Sequence, residues 1–191
     1  MSRLIERDFA ASGTCLAFSS PDGDRVTTTT LLMLAHSLRS EIGGDVLIVD
    51  TRLHEGPGGL SSRLGLATAP GFADALREGL EGGPQYIHPT HVPDVHVMPA
   101  GRPKTNGGLP LDRQRLRELL AGLRRKHTRV LLHVGSVLAD TRNLLIALEA
   151  DAVFLVTVEN RTLMASLEDC RRMLERNGVQ DIRVLVSSDS A

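Results

Sequence analysis

Short apolar runs alternate with longer amphipathic stretches from residue 14 to residue 187, and this pattern most narrows the folds open to the chain. Thr14 to Ser19 (TCLAFS), Val46 to Asp50 (VLIVD), Asp94 to Met98 (DVHVM), Arg129 to Val134 (RVLLHV), Ala152 to Val158 (AVFLVTV) and Ile182 to Val186 (IRVLV) have the length and apolar content of buried strands. Between them, leucines and alanines recur at helical spacing over Thr28–Ile42, Phe72–Gly79, Asp112–Lys126, Asp140–Ala150 and Leu163–Asn177. Asp112 reads as an N-cap, and Gly43-Gly44 and Gly178 read as helix stops. Strands alternating with helices predict an α/β fold, a doubly wound and mainly parallel sheet with helices on both faces. Thr14–Ser19 and Arg129–Val134 should be central, with Val46–Asp50 close by. With 191 residues, one domain spanning 1–191 is expected. Short apolar segments around Leu64 and Leu66, Gly-rich loops at His54–Leu60 and Gly101–Leu111, and a frayed tail at Ser187–Ala191 complete the reading.

Composition removes several classes of function. A net charge of −1 and 3% aromatics argue against nucleic acid as a partner. No apolar run reaches the ~18 residues of a membrane span, and the charged amino-terminal residues do not read as a signal peptide, so a cytoplasmic protein is expected. Cys15 and Cys170 form no metal pattern and read as reduced core thiols.

Ligands of open α/β sheets bind at the carboxyl ends of the strands. The first such end reads Phe18-Ser19-Ser20-Pro21-Asp22-Gly23-Asp24-Arg25-Val26-Thr27-Thr28-Thr29-Thr30, a strand, an irregular turn and a helix start rich in hydroxyls. That is the layout of a phosphate-binding loop, which needs Gly for close backbone approach, a Lys for the phosphates and a Ser/Thr for magnesium. No GxGxxG follows this strand, which disfavours a dinucleotide-binding dehydrogenase.

This stretch resembles the deviant-Walker ATPases, in particular the bacterial tyrosine kinases of capsule and exopolysaccharide synthesis. Aligned on Leu34-Ala35, Asp24-Arg25-Val26-Thr27-Thr28-Thr29 falls on the family's Gly-Glu-Gly-Lys-Ser-Thr. Thr28 keeps the metal-ligand hydroxyl, Thr27 stands at the Lys position and Val26 at a Gly. The only lysines, Lys104 and Lys126, lie far along the chain. Val46 to Leu53 resembles the second Walker motif, with Asp50 kept and Arg52 at the second Asp position. Pro70-Gly71-Phe72-Ala73-Asp74-Ala75-Leu76 is similar to a Gly-Leu-x-Asp-x-Leu segment, and Val95 to Pro103 to a strand ending in Ala-Gly-x-x-Pro. Val130 to Val137 falls on the Walker B strand, with His133 at its Asp. Ala150-Asp151 to Val156 is similar to the family's Ala-Asp strand.

The resemblance implies a degenerate nucleotide site made of Asp24, Arg25, Val26, Thr27, Thr28, Thr29, Asp50, Arg52 and His133. It implies a catalytically inactive relative, with no catalytic residue, no metal and no cofactor. Such a protein would be an interaction or regulatory subunit of exopolysaccharide synthesis and export. Its expected partner is an inner-membrane polysaccharide chain-length regulator or another export protein, which would hold it at the membrane periphery; a homo-oligomer stays open. The alternatives are a divergent but active ATPase or tyrosine autokinase using ATP with Mg and Arg25 in place of Lys, or a relative of the partitioning and positioning ATPases. In the lost metal site, Arg52 either pairs with Asp50 or a nearby acid such as Asp24, or extends into solvent.

Four further features carry structural readings. His88, His91, Asp94 and His96 read as an extended surface stretch, although imidazoles with a carboxylate are metal-ligand types. Arg113, Arg115, Arg117, Arg124 and Arg125 read as a solvated helix face. Tyr86, the single tyrosine, reads as an ordinary loop or strand residue, and His133 as a core histidine.

Overall fold

The computed structural model describes residues 11–22, 24–52, 59–79, 85–102 and 111–187, the side chain of Asp24 excepted. In chain order the elements are β1 (Thr14–Ser19), α1 (Asp24–Glu41), β2 (Val46–Asp50), α2 (Leu60–Arg63), α3 (Phe72–Glu78), β3 (His88–Pro89), β4 (Val95–Met98), α4 (Arg113–Lys126), β5 (Arg129–His133), α5 (Thr141–Ala147), β6 (Ala152–Val158), α6 (Met164–Arg176) and β7 (Ile182–Ser187). The strands form one sheet in the order β3-β4-β2-β5-β1-β6-β7. Every pairing is parallel except β3 with β4. This is the doubly wound α/β fold expected, with β5 and β1 central and β2 beside β5.

Side-chain alternation along the strands builds two apolar layers. Leu16, Phe18, Val46, Ile48, Val95, Val97, Leu131 and Phe154 pack on α1, with Leu31, Leu34 and Leu38 of that helix. Cys15, Ala17, Leu47, Val49, Met98, Val130, Leu132, Val153 and Leu155 face the opposite way, onto Phe72, Leu116, Leu119, Leu123, Leu144 and Leu174 of α3 to α6. Both faces of the central strands are therefore apolar, as a covered parallel sheet requires.

The differences from the sequence reading fall at element ends. α1 begins at Asp24, not Thr28. A run of four threonines is a weak helix signal, but Val26 packs against the core and draws that turn into the helix. α5 spans Thr141–Ala147, not Asp140–Ala150. Asp140 caps it by accepting a hydrogen bond from Arg142 N, and its last turn tightens through Glu149 N to Ile146 O and Ala150 N to Ala147 O. Asp151 is then placed so that its carboxylate accepts a hydrogen bond from Cys15 N at 2.8 Å. The His88 stretch supplies a two-residue edge strand; Pro89 is tolerated because an edge strand has one side free of pairing.

Several expectations fall on residues outside those described: the amino terminus, most of the loops at 54–60 and 101–111, and the carboxyl-terminal tail.

Candidate functional site

β2 and β5 run parallel in register, pairing Asp50 with His133 at their carboxyl ends. Asp50 shares the alternation of Ile48, and His133 that of Leu131, so both belong to the α1 side of the sheet. Each is completely buried. The backbone beyond them is tied together: Thr51 N and Oγ1 both donate to His133 O, at 3.2 and 2.9 Å, and Ser19 Oγ at the end of β1 donates to Gly135 O at 2.9 Å.

A buried carboxylate needs charge and hydrogen-bond partners. Asp50 has both. Arg52, only 5% exposed, places Nε 3.2 Å from Oδ1 and an Nη 3.4 Å from Oδ2, while its backbone N–H donates to Oδ1 at 3.3 Å. Ser61 on α2 donates to Oδ2 from its hydroxyl at 2.8 Å and from its backbone at 3.3 Å. Ser61 Oγ in turn accepts from Ala100 N at 3.1 Å, which ties the segment after β4 to the same carboxylate. His133 Nδ1 lies 3.7 Å from Asp50 Oδ1, beyond hydrogen-bond length.

Of the two arrangements open for Arg52, the structure has the ion pair. Asp24's side chain lies outside the described residues. At the start of α1, Thr27 and Thr28 are buried and Val26 is half-buried, whereas Arg25 and Thr29 are exposed. Thr27 Oγ1 is buried with no hydrogen-bond partner among the described residues. Thr29 accepts a hydrogen bond from an Arg63 Nη at 3.2 Å. The structure thus brings Asp50, Arg52 and His133 together, buries Thr27 and Thr28 in the helix start after β1, and leaves Arg25 and Thr29 on the surface.

Sequence reasoning missed Ser61. It is eleven residues from Asp50, on a helix of four residues, and no local pattern marks it. It also gave Asp74 no structural task. Asp74 accepts from Gly71 N at 2.9 Å and Arg102 N at 3.0 Å and pairs with Arg77, so it closes the first turn of α3 onto the segment after β4.

The histidine-rich stretch does not converge. His88 Nε2 contacts Pro70 O at 3.2 Å, Asp94 pairs with Arg39 at 2.6 Å, and the His96 ring stands 6.1 Å from that of His127. No group of three metal-ligating side chains occurs among the described residues. Arg113 and Arg117 pair with Glu149, and Arg124 with Asp151. Tyr86 is buried and donates its hydroxyl to Glu78.

No family model matches the chain, and no curated protein is detectably similar to it in sequence. Its fold, however, matches solved structures. The VpsO kinase domain superposes with a TM-score of 0.80 at 22% identity, covering 98% of this chain and 90% of that one. The kinase domain of the Escherichia coli tyrosine kinase ETK gives 0.71 at 16%, covering 98% and 73%. The chain has the fold of the bacterial tyrosine kinase domains. The septum site-determining protein MinD of Pyrococcus horikoshii, solved with Mg-ADP, shares that fold, with a TM-score of 0.68 at 22% identity over 88% of this chain and 67% of that one.

Among the described residues, the carboxyl end of the sheet does not offer the donor set of a magnesium nucleotide. Magnesium needs oxygen ligands with free lone pairs. The buried carboxylate here, Asp50, is paired with Arg52 and accepts from Ser61. Thr27, which the sequence resemblance sets at the Lys position, carries no charge.

Proposed function

We propose that this chain is a single-domain, kinase-like protein without phosphoryl-transfer activity, acting as an interaction or regulatory subunit. The observation that carries this reading is the buried Asp50–Arg52 ion pair with its Ser61 bridge. Phosphoryl transfer works through positioning and charge neutralisation by Lys and magnesium. Here a guanidinium takes the place of the cation, so the end of the sheet is ordered and neutral without a ligand. The likeness to VpsO and ETK kinase domains supports a place in bacterial exopolysaccharide synthesis and export, with an inner-membrane export protein as partner. No helix among the described residues is long and apolar enough to cross a membrane.

Calorimetry with Mg-ATP and a phosphate-release assay test the reading. No saturable heat and no phosphate release are expected. Micromolar binding with hydrolysis abolished by Arg25→Ala would establish a divergent ATPase instead.

A further inference from the structure

A cavity of about 470 Å³ opens on the side of the sheet away from α1. It runs along β4 from His96 to Met98, on the opposite face of the sheet from Asp50. Ala75, Tyr86, Ile87, Met98, Leu119 and Leu123 make most of its wall. His96, Lys126 and His127 complete it, and no carboxylate is among the described lining residues.

The polar groups are specific. His96 alternates with Met98 on β4, so the strand directs it to the α4 side, where its Nδ1 is buried with no hydrogen-bond partner among the described residues. His127 Nδ1 meets Asp45 Oδ2 at 2.5 Å. Burial pushes the Asp45 carboxyl up, but hydrogen bonds from Thr128 and His127 outweigh it and hold the acid below its usual range. An ionised carboxylate only accepts, so the proton of that contact is on His127 Nδ1. Lys126, the last residue of α4, adds a fixed positive charge.

An apolar chamber of this size with a few polar groups at one place is the usual form of a small-molecule site. We propose that it binds an amphiphilic anion: an unbranched apolar chain, taken between α3, α4 and the β4 edge, ending in a carboxylate or phosphate held by His96 and Lys126. The apolar wall takes the chain by burial. The Lys126 ammonium, with the His96 ring beside it and no carboxylate among the described lining residues, selects a negative head over a neutral one.

Calorimetry with decanoate, decyl phosphate and decanol, each below its aggregation limit, tests this. One site per chain is expected for at least one anion, the tighter of the two identifying the head group, with decanol about tenfold weaker. Lys126→Gln, at an exposed position, should weaken the anion about three- to tenfold and leave decanol unchanged. Ile87→Trp, which fills the chamber, should abolish binding of both. Methionine-methyl NMR gives a readout without a variant: the anion should shift Met98 and not the exposed Met33. Absence of heat and of a Met98 shift, equal affinity for decanol and the anions, or an unchanged anion affinity in Lys126→Gln would each overturn the proposal.

Discussion

Arg52 and Asp50 form an ion pair, Nε to Oδ1 3.2 Å, in which the carboxylate is fully buried and the guanidinium nearly so. Two residues apart along the chain, they leave the carboxyl end of β2 together, and Ser61 closes the second carboxylate oxygen. Breaking such a pair by removing one member strands a buried charge. Arg52→Ala should therefore destabilise the protein by about 3–5 kcal/mol. The double variant Asp50→Asn with Arg52→Ala should recover part of that loss, because no unpaired charge remains. Urea unfolding of wild type, both single variants and the double variant gives the coupling; a purely additive pair would contradict the arrangement.

Thr27 carries the opposite problem, a buried hydroxyl with no hydrogen-bond partner among the described residues. Replacing it with Val keeps the shape and removes the unsatisfied group. Thr27→Val should leave stability unchanged or raise it by about 1 kcal/mol, read from the urea midpoint. Thr27→Lys should lower it, since the side chain at this position is almost completely buried.

Gly71 is fixed by contact, not by backbone angle. A Cβ there would stand 2.0 Å from Pro99 O and 2.7 Å from Pro99 C. The same peptide is where Phe72 N donates to Pro99 O and Ala73 N to Ala100 O. Gly71→Ala must push α3 off the segment after β4, and it should cost about 3 kcal/mol or more in thermal or urea unfolding. A variant within the error of wild type would show that this junction yields easily.

Glu149 receives Arg113 and Arg117. Burial alone would raise its carboxyl, but hydrogen bonds from Arg117 and Arg113 prevail and hold it below the usual 4.5. A lowered folded-state value means that the contribution is fully present above the unfolded value of 4.5 and is lost as pH falls through the folded value. Glu149→Gln should therefore reduce stability near neutrality and much less at the acid end, flattening that limb of the pH–stability curve. Melting temperatures across pH 3 to 7 read it; parallel curves for the two proteins would contradict it.

Burial pushes the Cys15 thiol up to about 12 and the Cys170 thiol up to about 11. The thiolate is the reactive form. At pH 8 neither cysteine should react with a thiol-specific disulfide reagent in the native protein, and both should react in guanidinium. Fast labelling of either without denaturant would show that its element opens readily.

Local patterning carried a large part of the structure. Apolar runs at strand length specified β1, β2 and β6 to the residue, because each is buried on both faces and apolar over most of its length. Asp112 announced the start of α4, because capping is a contact between a side chain and amides two and three residues on, here Gln114 N and Arg115 N. The same locality explains the failures at α1 and α5, whose ends answer to the core beneath Val26 and to Asp151 reaching Cys15 across 136 residues.

What the amino-acid order determined by itself was the alternation of strand and helix, the parallel sheet it enforces, and the presence of Thr27 in the helix start after β1 and of Arg52 and His133 at the carboxyl ends of β2 and β5, where the family resemblance leads one to expect Lys and acids. What only the tertiary structure decided was the consequence of those replacements. Ser61 reaches Asp50 from eleven residues away and Ala100 reaches Ser61 from thirty-nine, and that closure is a matter of distance in space, which no spacing along the chain encodes. The cavity between α3, α4 and β4 belongs to the same class. Its wall is drawn from residues 75 to 127, each of which reads on its own as ordinary core or loop, and the cavity exists only once those residues are in place.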